Sequence, residues 1–363
     1  MRIALVGVGL IGGSIGLAAR ERLGASVAGY DPSAEALRIA LERGAIDRAA
    51  DAVAGAAGDA EAVFVAAPVG ALPGAVGAAL AGAPRDCVVS DVGSTKRTIV
   101  AAVEDSRFVG GHPLAGAETA GVRYARADLF DGATWYLTPT ARTSGILYER
   151  LHRLLRGIGA RPTAIEPATH DTMLATVSHL PHVLANVLVA QAARTLEFGP
   201  HPPHHPPGRL PATGPSFRDA TRVAGAPSEI WTDIYVSNRD AIAARIDDTI
   251  ARLTAVRDAL AGADAAWLTE WNDGAAEDRR RLLETQLAGG PLFELRASVP
   301  NRPGVVAQLA LELGRAGVNI TDMALYPAPD MSEGVVALWI AGEQEARRTE
   351  ELVGKLGFPV ARA

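Results

Sequence analysis

"RIALVGVGLIGGSIGLAA", residues 2–19, decides how the first part of the chain is read. The apolar run "RIALVGV" (2–8) leads into Gly7-x-Gly9-x-x-Gly12, and the residues beyond continue as a helical pattern. A strand, this glycine spacing and a helix together form the turn that holds a pyrophosphate. Gly7 permits the tight turn, Gly9 lets backbone approach the phosphates, and Gly12 lets helix and strand pack closely. The helix start, over Leu10 and Ile11, offers unpaired N–H groups and the positive end of its dipole to the negative charge. The next strand, "SVAGYD" (26–31), ends in Asp31, placed to bind the ribose of an adenosine. Its charge would repel a 2′-phosphate, and "Asp31-Pro32-Ser33" supplies no arginine, so NAD is expected over NADP. A helix N-cap before "SAEALRIA" is the plainer role for Asp31, and one residue can play both parts.

Outward from this stretch, "AVFVAAP" (62–68), "CVVSDVG" (87–93) and "FVGGHP" (108–113) read as further strands with helical patterns between most of them. Unbroken apolar strands joined by helices predict a parallel sheet covered on both faces. Pro68, closing one of these strands, joins the cofactor-binding set. "TWYLTPT" and "ARPTAIEP" follow as strands, separated by a helix over 144–157. From Pro167 the pattern turns helical, broken by "GPHPPHHPPGRLPATGPSF", a segment that reads as a surface loop. Its three histidines in five positions lack a cysteine or carboxylate companion, so no metal site is expected. The last seventy or so residues read as βαββαβ, a ferredoxin-like outline. The expected organisation is an α/β Rossmann-type dinucleotide-binding domain over 1–166, an all-α substrate and dimerisation domain over 167–288, and a third domain over 289–363.

Bulk properties narrow the function classes. The 363 residues carry a formal net charge of −6 with no basic run, which argues against a nucleic-acid partner. One cysteine, Cys87, cannot form an internal disulfide, so a reducing compartment is expected. The apolar N-terminus reads as a strand and turn, not a signal peptide, and no membrane span is expected. Together these predict a cytoplasmic protein.

Two strand ends carry candidate chemistry. "SDVGSTK" (90–96) places Ser94, Thr95 and Lys96 at the carboxyl edge, where α/β sheets bind ligands. Capping the following helix is the alternative role for that turn. "FVGGHPLAGAE" (108–118) ends its strand with His112. Beside a nicotinamide, such an imidazole can take a hydroxyl proton as the carbon loses hydride; a structural histidine is the alternative.

"GVGLIGGS", "DVGSTK", "GGHPLAGAE", "VSHLPH" and "FRDATR…IWTDI", in this order, resemble the prephenate/arogenate dehydrogenase family of tyrosine biosynthesis. The likeness covers about residues 1–260. It implies that His112 draws off the proton of the ring C4 hydroxyl and that Ser94 orients hydroxyl, histidine and nicotinamide. It further implies that His179 contacts substrate and Arg222 grips a substrate carboxylate. Glu118 would gate the pocket mouth or make a polar contact there, and Trp231 would lie near the site. A homodimer is implied by the family's interlocking helical domains. The tail with "VPNRPGVVAQLALELGRAGVNI" is similar to an ACT domain, which implies a tyrosine effector near Asn301 and Asn319; turn and cap roles are the alternative for both. His182 reads as structural and Pro181 as a first-turn helix residue; His170–Asp171 reads either as a pair supporting the site residues from behind or, preferably, as polar residues at a helix N-terminus. The resemblance implies NAD-dependent oxidative decarboxylation of prephenate to 4-hydroxyphenylpyruvate, with arogenate, giving tyrosine directly, as the alternative; no residue settles that choice. Two other classes compete. A β-hydroxy-acid dehydrogenase would use a helical-domain lysine, but no Lys lies between 97 and 354. A non-catalytic amino-acid sensor would not need Ser94, His112, His179 and Arg222 together.

Overall fold

The computed structural model describes residues 1–116, 119–198, 214–285, 291–300, 320–328 and 332–363, with scattered residues between 305 and 318. The chain forms two compact units, Met1–Ile250 and Ala251–Ala363. The first opens with β1 (Arg2–Val6), α1 (Leu10–Leu23), β2 (Ser26–Tyr30), α2 (Ala34–Glu42), β3 (Arg48–Ala49), α3 (Val53–Ala57) and β4 (Ala62–Val65). It continues through α4 (Leu72–Gly82), β5 (Val88–Asp91), α5 (Arg97–Ala102), β6 (Phe108–Pro113), β7 (Thr134–Thr138), α6 (Gly145–Gly157) and β8 (Arg161–Ala164).

These strands make one eight-stranded sheet in the order β3-β2-β1-β4-β5-β6-β7-β8. Alternate residues of β1 enter two different cores. Ile3 and Leu5 join Phe64, Trp135 and Leu151 on one face. Ala4 and Val6 join Val63, Leu72 and Val89 on the other. Both faces are therefore covered, which is why these strands read as continuous apolar runs. Each fully buried Leu, Ile or Val contributes roughly 1.5–3 kcal/mol.

The expectation of a wholly parallel sheet needs one correction: β7 runs antiparallel to β6. Between them the described residues hold only the 3₁₀ turn Val122–Tyr124. A parallel return needs a crossover, usually a helix. The two-residue β3 was also not legible as a strand.

The helical part begins with α7 (Pro167–Leu174), a π-turn (Ala175–His179) and α8 (Leu180–Phe198), which run on as one rod. Pro181 is therefore not a first-turn residue of a separate helix. It follows directly on the wider π-turn, where the clash of its ring with the preceding turn is relieved. By length and composition Pro167–Thr195 would suffice to cross a bilayer. Here buried His170, Asp171 and His179 fasten it to the rest of the unit. α9 (Pro215–Thr221), α10 (Ser228–Ser237) and α11 (Arg239–Ala261) follow. The His/Pro segment 199–207 lies outside the described residues.

The second unit contains α12 (Ala265–Thr285) and a four-stranded antiparallel sheet. Its strands are β9 (Leu292–Pro300), β10 (Ile320–Pro327), β11 (Glu333–Ala341) and β12 (Val360–Arg362), ordered β10-β11-β9-β12. Leu295, Ala297, Val299, Leu338 and Ile340 pack with Ala346 and Val353 of the helix Glu343–Lys355.

A buried ion pair fixes the sheet edge. Asp91 at the end of β5 pairs with Lys96, and both side chains are fully buried. The same carboxylate accepts the Gly93 N–H at 2.9 Å and the Gly111 N–H at 3.1 Å. Asp91 thus ties the turn after β5 to the residue beside His112. Lys96→Met leaves this carboxylate without its cation in a dry interior. We expect a loss of about 3–5 kcal/mol in equilibrium urea denaturation; an unchanged midpoint would mean that the pair adds nothing.

Candidate active site

Because β1, β4, β5 and β6 are mutually parallel, their carboxyl ends share one edge. That edge carries Gly7, Pro68, Ser94 and His112. With neighbouring strands about 4.8 Å apart, the span from β2 to β6 is roughly 19 Å. Gly7 has φ +95°, a left-handed conformation, and a Cβ at Gly12 would collide with the Gly7 carbonyl. Gly9 is different: a Cβ there would meet nothing within 4 Å. Protein packing does not require glycine at position 9, whereas close approach by a phosphate group does. No side chain caps the start of α1, so its first N–H groups are available to an anion. Asp31 accepts the Val8 N–H at 2.9 Å and the Ser33 N–H at 2.9 Å, fastening the glycine loop to the end of β2. The N-cap of α2 is Ser33, so Asp31 does not cap it. Leu10 and Ile11 pack partly on the core beneath. Pro68 lines a cleft of about 530 Å³ with Ser228, Glu229, Ile230, Thr232 and Asp233 of α10. Asp233 also accepts the Gly70 N–H at 2.9 Å. These features fit a dinucleotide lying along the edge.

At the β5–β6 end, Ser94, His112, His179 and Trp231 line one cleft of about 360 Å³, with Leu114, Leu174, Val177 and Ile234 as apolar wall. His112 reaches it because β6 is packed tightly on both sides. A Cβ at Gly111 would come within 2.6 Å of the Asp91 carbonyl and 2.7 Å of the Ser90 hydroxyl. The two glycines of "GGHP" are thus the condition for bringing β6 against β5 and β7. Burial, with further contributions from His170, Lys96 and His179, holds the His112 imidazole well below its usual titration range.

Behind the cleft runs a polar network. His112 Nδ1 lies 2.9 Å from His170 Nε2, and His170 Nδ1 lies 2.8 Å from Asp171 Oδ1. Asp171 also accepts the Lys96 N–H at 2.7 Å and the Arg97 N–H at 2.9 Å, capping α5. Capping is therefore done by Asp171 and not by Ser94, which leaves the Ser94 hydroxyl to the cleft. Burial raises the Asp171 carboxyl, but hydrogen bonds from His170 and the Arg97 and Lys96 amides bring it below its usual range.

His179 sits in the π-turn. Its Nδ1 is 3.1 Å from Asn238 Nδ2, which also donates to the Asp171 carbonyl at 2.8 Å. A carbonyl can only accept, so the amide nitrogen is correctly placed and His179 Nδ1 accepts. The neutral ring then carries its hydrogen on Nε2. Burial lowers its pKa to about 4, so the ring is neutral at pH 7. His182 has a supporting role: Nδ1 donates to the Ser178 carbonyl at 3.2 Å, and the ring stacks on Trp231 at 3.4 Å between centroids.

Arg222 does not line this cleft. It is exposed in the turn after α9, and its charge adds to the larger effect of burial in lowering the His182 titration. Glu118, Asn301 and Asn319 lie outside the described residues. Asn238 escaped the reading of the sequence, and His170 and Asp171 support the site and are not merely polar residues of a helix start; all three are fully or nearly fully buried. One signal was present, since Asp171, Ala175 and His179 repeat every four residues on one helix face.

The family model described as prephenate dehydrogenase, nucleotide-binding domain, matches residues 15–164. That for the prephenate dehydrogenase dimerization domain matches residues 166–272. Prephenate dehydrogenase of Bacillus subtilis is 32% identical over 364 residues, covering 97% of this chain and 95% of the relative. Among solved structures, A. aeolicus prephenate dehydrogenase in complex with hydroxyphenyl propionate and NAD+ superposes with TM-score 0.70 at 27% identity, covering 78% of this chain and 98% of that one. Synechocystis arogenate dehydrogenase gives 0.65 at 25%, covering 78% and 100%. A glycine loop over a doubly covered sheet, a cleft with two neutral imidazoles and these matches lead to one conclusion: the chain belongs to the prephenate dehydrogenase family.

Proposed function

We propose that this chain is an NAD-dependent prephenate dehydrogenase, converting prephenate to 4-hydroxyphenylpyruvate and carbon dioxide. The observation that carries this reading is the convergence of Ser94, His112 and His179 on one cleft along the edge that bears the glycine loop. When bound, NAD supplies the acceptor for the hydrogen that leaves ring C4 with its electron pair. The residues of the chain bind, orient and move one proton. His112 accepts the C4 hydroxyl proton as the C4–H bond breaks. The bond from C1 to its carboxylate then breaks, carbon dioxide departs, and that electron pair completes the aromatic ring. The phenolate oxygen recovers the proton from His112, so the base ends unchanged. Ser94 orients the hydroxyl, and His179 offers its Nε2–H to a substrate oxygen. Arg222 takes a substrate carboxylate, a task suited to its planar fork, with Trp231 and Glu118 completing the pocket.

Arogenate, with an amino group in place of the keto group, is the second reading; the likeness to the Synechocystis enzyme favours it. Steady-state rates with both substrates, each with NAD and NADP, decide between them. We expect prephenate with NAD to be fastest. His112→Asn should lower kcat at least about 100-fold. Because the neutral imidazole is the active form and burial depresses its pKa, kcat/KM should hold as pH falls through 6.5 and decline only below it. Unchanged turnover in His112→Asn would remove the proposed base.

We divide the chain into a dinucleotide-binding domain (1–166), a helical domain (167–288) and an ACT-like domain (289–363). Exposed Val187, Leu188 and Val189 on α8 and Val236 on α10 support a homodimer through the helical domain. Light scattering should give twice the chain mass, and Leu188→Glu should shift it toward one chain; a monomeric parent protein at micromolar concentration would refute this. The antiparallel sheet order supports the ACT-like reading, with Asn301 and Asn319 near a bound tyrosine. Isothermal titration should then detect tyrosine; absence of binding, with rates indifferent to tyrosine, would remove the effector.

A further inference from the structure

We infer that His170 and Asp171 are positioning residues that determine which nitrogen of His112 is the base. This rests on the proposed role of His112. An ionised Asp171 cannot donate, so His170 Nδ1, 2.8 Å from its Oδ1, must carry a hydrogen. In a neutral ring His170 Nε2 is then bare. That bare nitrogen lies 2.9 Å from His112 Nδ1, which must therefore be the donor. The lone pair of His112 is thereby assigned to Nε2, the nitrogen left for the cleft that His112 lines. The direction of the whole chain is set at its anionic end, where two backbone N–H groups already hold the carboxylate. Solvent does not interfere, because His170 is fully buried and Asp171 nearly so.

The same chain acts on the protonated state. When His112 Nε2 takes a proton, Nδ1–H still points to His170, and His170 still points to an anion. Among the described residues, the titratable groups around His112 are Asp91 from the end of β5, Lys96 from the turn after it, His170 and Asp171 from α7, His179 from the π-turn and Tyr136 from β7. Asp91 and Lys96 offset each other as an ion pair. Asp171 is therefore the anion among the described residues that compensates the transient charge on His112.

The test uses the full chain. In protein labelled with 15N-histidine, His112 is identified by the signals lost in His112→Asn. At neutral pH its Nδ1 should carry hydrogen and its Nε2 should be bare; hydrogen on Nε2 would overturn the inference without recourse to any variant at position 170. His170→Leu should lower kcat by roughly 100-fold, with KM for prephenate and NAD within about 3-fold of the parent. The acid limb of its kcat profile should move to lower pH, because the His112 cation has lost its acceptor. His170→Gln, whose side-chain oxygen can accept from His112 Nδ1, should recover about 10-fold of the lost rate. Loss of turnover in His112→Asn beside an unmoved acid limb and full rate in His170→Leu would sink the relay and leave the function standing. Full turnover in His112→Asn would sink the function itself.

Discussion

One buried carboxylate, Asp171, joins the two halves of the active site. Its oxygens cap α5 on the sheet side and hold His170, and its backbone carbonyl holds Asn238, which in turn holds His179. The two imidazoles of the cleft therefore take their orientation from a single residue of α7. Isolated buried charge is costly, and this one is tolerated because every contact is a donor aimed at it. The same contacts make the pocket rigid, since moving α7 would break the cap of α5 and the orientation of both histidines together.

Around that anchor the sheet contributes position. Four parallel strand ends present the glycine loop, Pro68, Ser94 and His112 along one edge. The Asp91–Lys96 pair and the two glycines before His112 bring β6 close enough to β5 and β7 for this alignment. A side chain at either glycine would push β6 outward and carry the imidazole with it. Cofactor edge and proton acceptor are thus placed by one set of close backbone contacts.

Much of this was legible from local pattern. The fingerprint at Gly7, Gly9 and Gly12 needs only a strand, a turn and a helix in succession, so it can be read without the fold. The strand ends at Ser94 and His112 were legible because continuous apolar runs end abruptly there. What escaped depends on long-range packing. His170 meets His112 across 58 positions of sequence, and Asn238 meets His179 across 59. No local pattern distinguishes these from ordinary polar residues on a helix. The reversal of β7 escaped because its cause is the lack of a crossover helix among the described residues, and the exposure of Arg222 escaped because a motif does not say which way the turn after α9 faces.

The π-turn has a consequence for handedness around the rod. An ideal α-helix turns 100° per residue, so residues eight apart, such as Asp171 and His179, fall roughly 80° out of line. A wider turn between them winds back part of that angle. Ordinary α-winding over Ala175–His179, with the same number of residues, would swing the second imidazole around the axis and away from Asn238. The phase of this helix, more than its composition, decides whether the cleft has one imidazole or two.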